Sequence, residues 1–234
     1  MTERHIVAMG GGGFSMEDPL LDRYVLDLVD SPRPKICLLP TASQALPLYV
    51  TRFLNAFPAS RFEPTYLDLF ARTVADVDAF LGEQDVIYVG GGNTANMLAI
   101  WRIHGVDAAL RRAWEAGVVC CGISAGGNCW FEASTTDSYL IGRADPLRDG
   151  LAFLPGSFCP HYDGEESRRP EYRRQVASGE LPPGYAADDY AAVHFTGETF
   201  TEAIASKQGA TVYRVTTDDD GGSIEEPVTT RLLR

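Results

Sequence analysis

The segment Gly-Ile-Ser-Ala-Gly at residues 122–126 places a serine between two glycines, directly after an apolar run. This spacing matches G-x-S-x-G, a sharp turn from a strand into a helix that lifts a serine hydroxyl clear of a sheet. The glycines relieve crowding at such a turn, and backbone N–H groups beside the serine stabilise developing negative charge. Ser124 is therefore a candidate nucleophile, and the N–H of Ala125 is a candidate oxyanion donor.

A second glycine-rich segment, Val-Gly-Gly-Gly-Asn-Thr at residues 89–94, also follows an apolar run. Gly90, Gly92 and Ala95 fit the G-x-G-x-x-A spacing of a dinucleotide site. That fingerprint requires an acidic residue at the end of the next strand, and here the next strand ends at Ser124. We therefore favour the other interpretation, in which Gly91 or Gly92 offers a second backbone N–H to an oxyanion beside Ser124.

A serine nucleophile needs a base, and the chain has four histidines. His5 begins a predicted strand, His104 lies near a predicted helix end, and His194 lies within an alternating strand pattern. His161 follows a proline in a predicted loop and is the best candidate base. The carboxylate that would orient its imidazole stays open at this point. The nearby candidates are Glu132, Asp137, Asp163, Glu165, Glu166, Asp188 and Asp189.

The bulk composition excludes several classes of function. The 234 residues carry a formal net charge of −12, which argues against nucleic acid or an anionic membrane as a partner. Residues 1–15 have too short an apolar run for a signal peptide, and there is no apolar stretch of about 20 residues, so the predicted location is the cytoplasm. Five cysteines without a C-x-x-C pair predict buried thiols, and neither a metal nor another cofactor is expected.

Short apolar runs alternate with helix-length segments up to about residue 135, and the run 125–131 is predicted to begin a helix after Ser124. Nearly continuous apolar strands alternating with helices predict an α/β fold with a mostly parallel sheet covered on both faces. The last third of the chain alternates in a way that predicts antiparallel hairpins finishing one edge of that sheet. No linker or repeat interrupts the pattern, so residues 1–234 are predicted to form a single domain.

Four segments together resemble the peptidase E family of serine peptidases, which includes aspartyl dipeptidases and, more distantly, cyanophycinases. They are GGGNT at 90–94, GISAG at 122–126, PHYD at 160–163 and GYAADDYAAV at 184–193. The resemblance implies a three-layer α/β sandwich related to class I glutamine amidotransferases, with a Ser-His-Glu triad. By position, Ser124 is then the nucleophile and His161 the base. The family's glutamate falls at Asp189, one methylene shorter, with Asp188 as the alternative.

The resemblance also implies an arginine that binds the acidic side chain of the substrate, since a guanidinium can hold a carboxylate in two places. Arg168 and Arg169 are the candidates, in a segment that also contains Arg173 and Arg174. A solvated helix face with pairs to neighbouring glutamates explains the same arginines equally well.

The predicted function is a serine peptidase acting on small peptides, with an N-terminal aspartate as one candidate specificity. The alternatives are an amide or isopeptide hydrolase of the same fold, and a non-catalytic protein that binds a nucleotide or an anion. The expected partner is a small peptide substrate, and a homodimer is compatible with the family.

Overall fold

A computed structural model of the chain describes residues 3–218 and 220–234. Met1 and Thr2, which belong to the N-terminal stretch discussed above, and Asp219 lie outside the described residues. The fourteen strands among them are β1 His5–Met9, β2 Lys35–Leu39, β3 Glu63–Tyr66, β4 Val86–Val89, β5 Val119–Ile123, β6 Phe131–Thr136, β7 Asp145–Leu147, β8 Leu154–Cys159, β9 Gly184–Ala187, β10 Ala191–Thr196, β11 Thr199–Ala205, β12 Val212–Thr217, β13 Ser223–Val228 and β14 Thr230–Leu232. The α-helices are α1 Pro19–Leu26, α2 Leu46–Ala56, α3 Val77–Gly82, α4 Thr94–His104, α5 Val106–Ala116, α6 Ala125–Asn128 and α7 Arg168–Ala177, and a 3-10 helix spans Gly13–Met16.

The main sheet has eight strands in the order β14-β11-β10-β1-β5-β4-β2-β3. Strands β1, β5, β4, β2 and β3 run parallel to one another, and β10 joins β1 in antiparallel pairing. Glycine-rich segments follow β1 at residues 10–13, β4 at 90–92 and β5 at 126–127. Because the carboxyl ends of these three parallel strands lie at one edge of the sheet, the segments meet there. The predicted mostly parallel sheet is confirmed.

Helices cover both faces of this sheet, as continuously apolar strands require. The alternation within β1 shows the two faces directly: Ile6 and Ala8 pack in one core cluster, and Val7 and Met9 pack in the other. The first cluster includes Trp101 and Trp114 from α4 and α5, and the second includes residues of α1 and α2. This is the predicted three-layer α/β arrangement.

A second sheet of six strands, in the order β13-β12-β9-β8-β6-β7, was not predicted. The helix after Ser124 ends at Asn128, and β6 begins at Phe131, where the sequence had indicated a longer helix. Gly126 and Gly127 make up half of that helix and weaken its propagation. The apolar residues that follow are buried in the sheet core instead, with the ring of Phe131 stacked on Phe158 of β8 at 5.1 Å.

The prediction that all C-terminal hairpins finish the main sheet was wrong in part. Strands β10 and β11 do extend the main sheet in antiparallel pairing. The hairpin of β12 and β13 instead pairs with β9 in the second sheet, through Val212 opposite Ala187. Within the described ranges, no helix is both long and apolar enough to cross a bilayer.

Candidate active site

Ser124 follows β5 in a backbone conformation that is rare for a residue with a side chain, with φ 56° and ψ −112°. Such a conformation costs about 1–3 kcal/mol and persists only where surrounding contacts enforce it. Here the Ser124 N–H donates to the carbonyl of Met9 at 3.1 Å, and the Ser124 carbonyl accepts from the N–H groups of Gly127 and Asn128. The peptide groups before and after Ser124 are therefore both fixed by hydrogen bonds, as a nucleophile elbow requires.

The two glycines of the motif are needed because backbone atoms lie where side chains would be. A Cβ built on Gly122 would lie 2.3 Å from the carbonyl oxygen of Gly126. A Cβ built on Gly126 would lie 2.2 Å from the carbonyl oxygen of Val89 at the end of β4. The elbow as it stands therefore has no room for a side chain at either position, and a larger residue would force the main chain to shift.

His161 and Asp189 contact each other, with Nδ1 of the imidazole 2.6 Å from Oδ1 of the carboxylate. A carboxylate oxygen only accepts, so Nδ1 carries the proton of this contact, and Nε2 is the nitrogen that has a lone pair in a neutral imidazole. His161 itself has φ 51°, a left-handed conformation that fixes the direction of its side chain. This arrangement is that of a general base oriented by an acid.

The Asp189 carboxylate lies between two glycines. A Cβ on Gly11 would lie 2.0 Å from Oδ1, and a Cβ on Gly164 would lie 2.4 Å from Oδ2. The Asp189 N–H donates to Oδ1 of Asp163 at 2.8 Å. Sequence reasoning did not identify Gly11 or Gly164, because their role depends on packing between distant segments.

Asp188, the alternative third member, has a different environment. Its side chain is buried, and Oδ2 accepts from the N–H of Thr211 at 3.0 Å. Burial, with a smaller contribution from the charge of Asp163, raises the pKa of Asp188 to about 6. Of the two neighbouring aspartates, Asp189 is the one in contact with His161.

The end of β1 joins the serine and the histidine–aspartate pair. Met9 accepts the N–H of Ser124, and two residues later Gly11 forms a bridge with Asp189. A Cβ on Gly11 would also lie 3.2 Å from Nδ1 of His161. Three residues that are far apart in sequence are therefore positioned by one short segment.

The glycine loop after β4 lies beside the elbow, since a Cβ on Gly91 would lie 3.5 Å from Cβ of Ser124. The N–H of Gly91 donates to the Tyr49 hydroxyl at 2.9 Å. Gly92 has φ 135° and lies against the carbonyl of Ala42, where a Cβ would be 2.1 Å from the oxygen. Tyr49 was not predicted from the sequence, and burial raises its pKa to about 12.

A cavity of about 430 Å³ opens next to Ser124. Its lining includes Ser124, Gly91, Gly92 and Arg168, whereas His161, Asp189 and Arg169 lie outside it. A cavity of similar volume lies around Phe14, away from Ser124. The first cavity is the candidate substrate site because its lining contains Ser124, the candidate nucleophile.

The two predicted arginines have different positions. Arg168, at the start of α7, is buried and donates from Nε to Oε2 of Glu165 at 2.6 Å and from Nη1 to the carbonyl of Thr135 at 2.9 Å. Arg169 points elsewhere: it is paired with Glu225 and lies over the ring of Tyr213 at 5.0 Å. Only Arg168 of the two reaches the cavity.

No group of three or more His, Cys, Asp or Glu side chains is arranged to hold a metal ion in the described part of the chain. The five cysteines are free and buried, as predicted.

Comparison with known proteins agrees with the sequence resemblance. The model of peptidase family S51 matches residues 6–203. The uncharacterized peptidase YgaJ of Bacillus subtilis (strain 168) is 50% identical over 216 residues, 91% of this chain and 92% of that protein. Peptidase E of Citrobacter koseri is 33% identical over 108 residues, 44% of this chain and 46% of that protein.

Among solved structures, a peptidase from an acI-B1 Actinobacterium superposes with a TM-score of 0.69 at 15% identity, covering 97% of this chain and 95% of that one. At this identity the likeness establishes the fold alone. Together with the family match, it confirms the predicted fold class and the predicted enzyme class. The chain belongs to peptidase family S51 and is a serine peptidase.

Proposed function

We propose that this protein hydrolyses small peptides through a Ser124–His161–Asp189 triad and an acyl-enzyme. The observation that supports it most strongly is the 2.6 Å contact between His161 Nδ1 and Asp189 Oδ1, held by the same β1 end that fixes the strained Ser124 elbow. An imidazole oriented in this way and a nucleophile in an elbow are the two parts that acyl transfer requires.

In the proposed reaction these residues act in two steps, acylation and deacylation. Ser124 Oγ attacks the scissile carbonyl carbon while its proton passes to Nε2 of His161, and Asp189 stabilises the resulting imidazolium. The N–H of Ala125 and one N–H of the glycine loop receive the oxyanion. The imidazolium then protonates the leaving amine, and water attacks the acyl-enzyme with His161 as base, which regenerates the Ser124 hydroxyl.

Of the two loop donors, Gly92 is favoured. The Gly91 N–H already donates to Tyr49, so its use would require that contact to be shared or broken. Both glycines line the cavity that contains Ser124, so the choice between them depends on this contact.

A nucleotide-binding or anion-binding function has less support. Asp137 and Glu165 both line the cavity, and their carboxylates would repel phosphate groups. Arg168, the arginine on the described part of the lining, is already paired with both. An amide or isopeptide substrate would use the same triad and is separated from a peptide by substrate profiling.

The proposal is tested by following amine release from a panel of dipeptides and short peptides with varied first residues. Wild type should release amine, and Ser124→Ala should lower kcat by at least about 10³-fold, since loss of the nucleophile leaves only binding and the oxyanion site. The matched serine control is Ser178→Ala, which should retain activity. The Ser178 hydroxyl donates to the carbonyl of Gln175 near the end of α7. Equal rates for wild type and Ser124→Ala would contradict the proposal.

A further inference from the structure

Most main-chain N–H groups of the glycine loop between β4 and α4 are used by the protein itself. An N–H that is paired inside the protein serves an oxyanion only if that pairing breaks, which costs free energy. Of the N–H groups at residues 90–93, all but that of Gly92 have such acceptors. Gly90 donates to the carbonyl of Leu39 at 3.0 Å, Gly91 to the hydroxyl of Tyr49 at 2.9 Å, and Asn93 to the carbonyl of Ala42 at 3.0 Å.

The N–H of Gly92 has no hydrogen-bond acceptor among the described residues. Gly92 lines the cavity that contains Ser124, and its φ of 135° is one that residues with a side chain rarely adopt. A Cβ there would lie 2.1 Å from the carbonyl oxygen of Ala42, so only a glycine lets the main chain pass this close. The loop therefore keeps one unpaired N–H on the lining of the cavity.

Among the three acceptors of this loop, the Tyr49 hydroxyl is the one that belongs to a side chain. The tyrosine ring is held on two sides. A Cβ built on Gly90 would lie 2.6 Å from the ring carbon Cε1, and the ring of Phe14 packs edge-on at a centroid distance of 5.1 Å. Burial raises the pKa of Tyr49 to about 12, so the phenol stays neutral and places no negative charge beside an oxyanion.

We propose that Tyr49 is a positioning residue of the oxyanion site: by accepting the Gly91 N–H it fixes the glycine loop and leaves the N–H of Gly92 to the oxyanion formed at Ser124. The inference rests on the proposed function, because it needs Ser124 to form that oxyanion. Glycines have more conformational freedom than other residues, so a donor among three of them must be held if it is to be preorganised. Without the Tyr49 hydroxyl, the next peptide group, which carries the Gly92 N–H, is less firmly fixed.

The first test needs no peptide substrate. A fluorophosphonate reacts when Ser124 Oγ bonds to phosphorus, fluoride leaves and the serine proton passes to His161, while the phosphoryl oxygen takes the place of the oxyanion. Tyr49→Phe keeps the ring and removes only the hydroxyl. Because the loss of a whole oxyanion donor costs about 10²-fold to 10³-fold, the loss of its positioning should slow the labelling of Ser124 by about tenfold.

The second test separates the transition state from substrate binding. With the peptide that wild type hydrolyses fastest, Tyr49→Phe should lower kcat by about tenfold and leave KM within about twofold. The negative charge forms only as Ser124 attacks, so its donors stabilise the transition state more than the bound substrate. A substrate cavity distorted by the substitution would raise KM instead.

The matched control is Tyr24→Phe, which removes the same hydroxyl elsewhere in the fold. The Tyr24 hydroxyl lies 2.6 Å from Nδ1 of His194 and donates to Glu202 at 2.9 Å, and Tyr24 is absent from the described lining of the Ser124 cavity. The labelling rate and kcat of Tyr24→Phe should stay within about twofold of wild type. Thermal unfolding of both variants checks that they are folded before the rates are compared.

The outcomes separate this inference from the proposed function. Labelling at the wild-type rate by folded Tyr49→Phe would overturn the inference, as would an equal loss in Tyr24→Phe or a change confined to KM. Failure of Tyr49→Phe to fold would overturn it too, because the hydroxyl would then serve the fold and not the oxyanion. Each of these results leaves the triad in place. Wild-type Ser124 that resists the fluorophosphonate would overturn the proposed function, and this inference with it.

Discussion

Substitution of Gly11 by alanine should disable the enzyme while leaving it folded. The Asp189 carboxylate occupies the space that the new methyl group needs, since the Cβ would lie 2.0 Å from Oδ1 and 3.0 Å from Cγ. Gly11 does not have a left-handed φ, so alanine adds no backbone strain there. The carboxylate has little room to move straight back, because Gly164 lies near Oδ2 on the other side.

The size of the effect follows from the required movement. To restore an ordinary separation of 3.0 Å or more, Oδ1 must move by about 1 Å, which breaks its 2.6 Å contact with His161. A misplacement of about 1 Å in catalytic machinery can cost about 10²-fold in rate, or about 2.7 kcal/mol in the activation free energy. We therefore expect kcat for Gly11→Ala to fall about 100-fold.

The assay is kcat at saturating dipeptide, with thermal unfolding as a check on folding. Gly82→Ala is the matched control, because a Cβ there meets no atom within 4 Å. It should leave both kcat and the unfolding temperature close to wild type. A folded Gly11→Ala enzyme with kcat within about threefold of wild type would refute the assigned role of Asp189, given that a change of that size is only about 0.7 kcal/mol.

Three further predictions concern other parts of the structure. Asp189→Asn should lower kcat by about 10²-fold to 10⁴-fold, because Asp189 contacts His161. Asp188→Asn keeps an oxygen that accepts from the N–H of Thr211 and should change kcat by less than about fivefold. Equal losses of kcat in the two variants would contradict the choice of Asp189 over Asp188. Burial raises the pKa of Asp22 to about 7. The folded state therefore binds the proton of this carboxyl group more tightly than the unfolded state does. The free energy of unfolding should then fall as pH rises from about 4 to 7. An asparagine at position 22 cannot ionise, so Asp22→Asn should be more stable than wild type at pH 8 by up to about 4 kcal/mol, with little difference at pH 4. Urea unfolding at both pH values measures the difference in the free energy of unfolding. The same difference at pH 4 and at pH 8 would contradict the prediction. Gly126→Ala should lower the free energy of unfolding by about 1–3 kcal/mol in the same urea assay, because the new Cβ would lie against the carbonyl oxygen of Val89 in β4. Unchanged stability would show that the elbow has room for a side chain there.

The parallel sheet could be predicted from the sequence because its central strands are apolar throughout. Strand β5 is buried at every position, and its apolar run ends abruptly at Ser124, so both the strand and the elbow leave a clear local pattern. The second sheet leaves a weaker pattern. Ser134, Thr135 and Thr136 of β6 are buried, and polar side chains in the interior hide the apolar pattern by which a strand is recognised.

Candidate site residues could be chosen from the sequence where chemistry limits the choice. Few histidines were available as a base, and Ser124 lies in a recognisable motif. Gly11, Gly164 and Tyr49 were not predictable, because each acts through a contact across the fold: the two glycines against Asp189, and the tyrosine hydroxyl with the Gly91 N–H. The partners of Arg168 belong to the same class, since Thr135 and Asp137 lie more than thirty residues before it in sequence.

Reaction of the native protein with a fluorophosphonate probe, followed by peptide mapping, tests the central claim most directly. A serine activated by a neighbouring base forms a covalent adduct that an ordinary hydroxyl does not. The account predicts one adduct, on the peptide that contains Ser124, absent in Ser124→Ala and formed much more slowly in His161→Ala. A folded wild-type protein that gives no adduct at Ser124, or that reacts equally fast without His161, would contradict it.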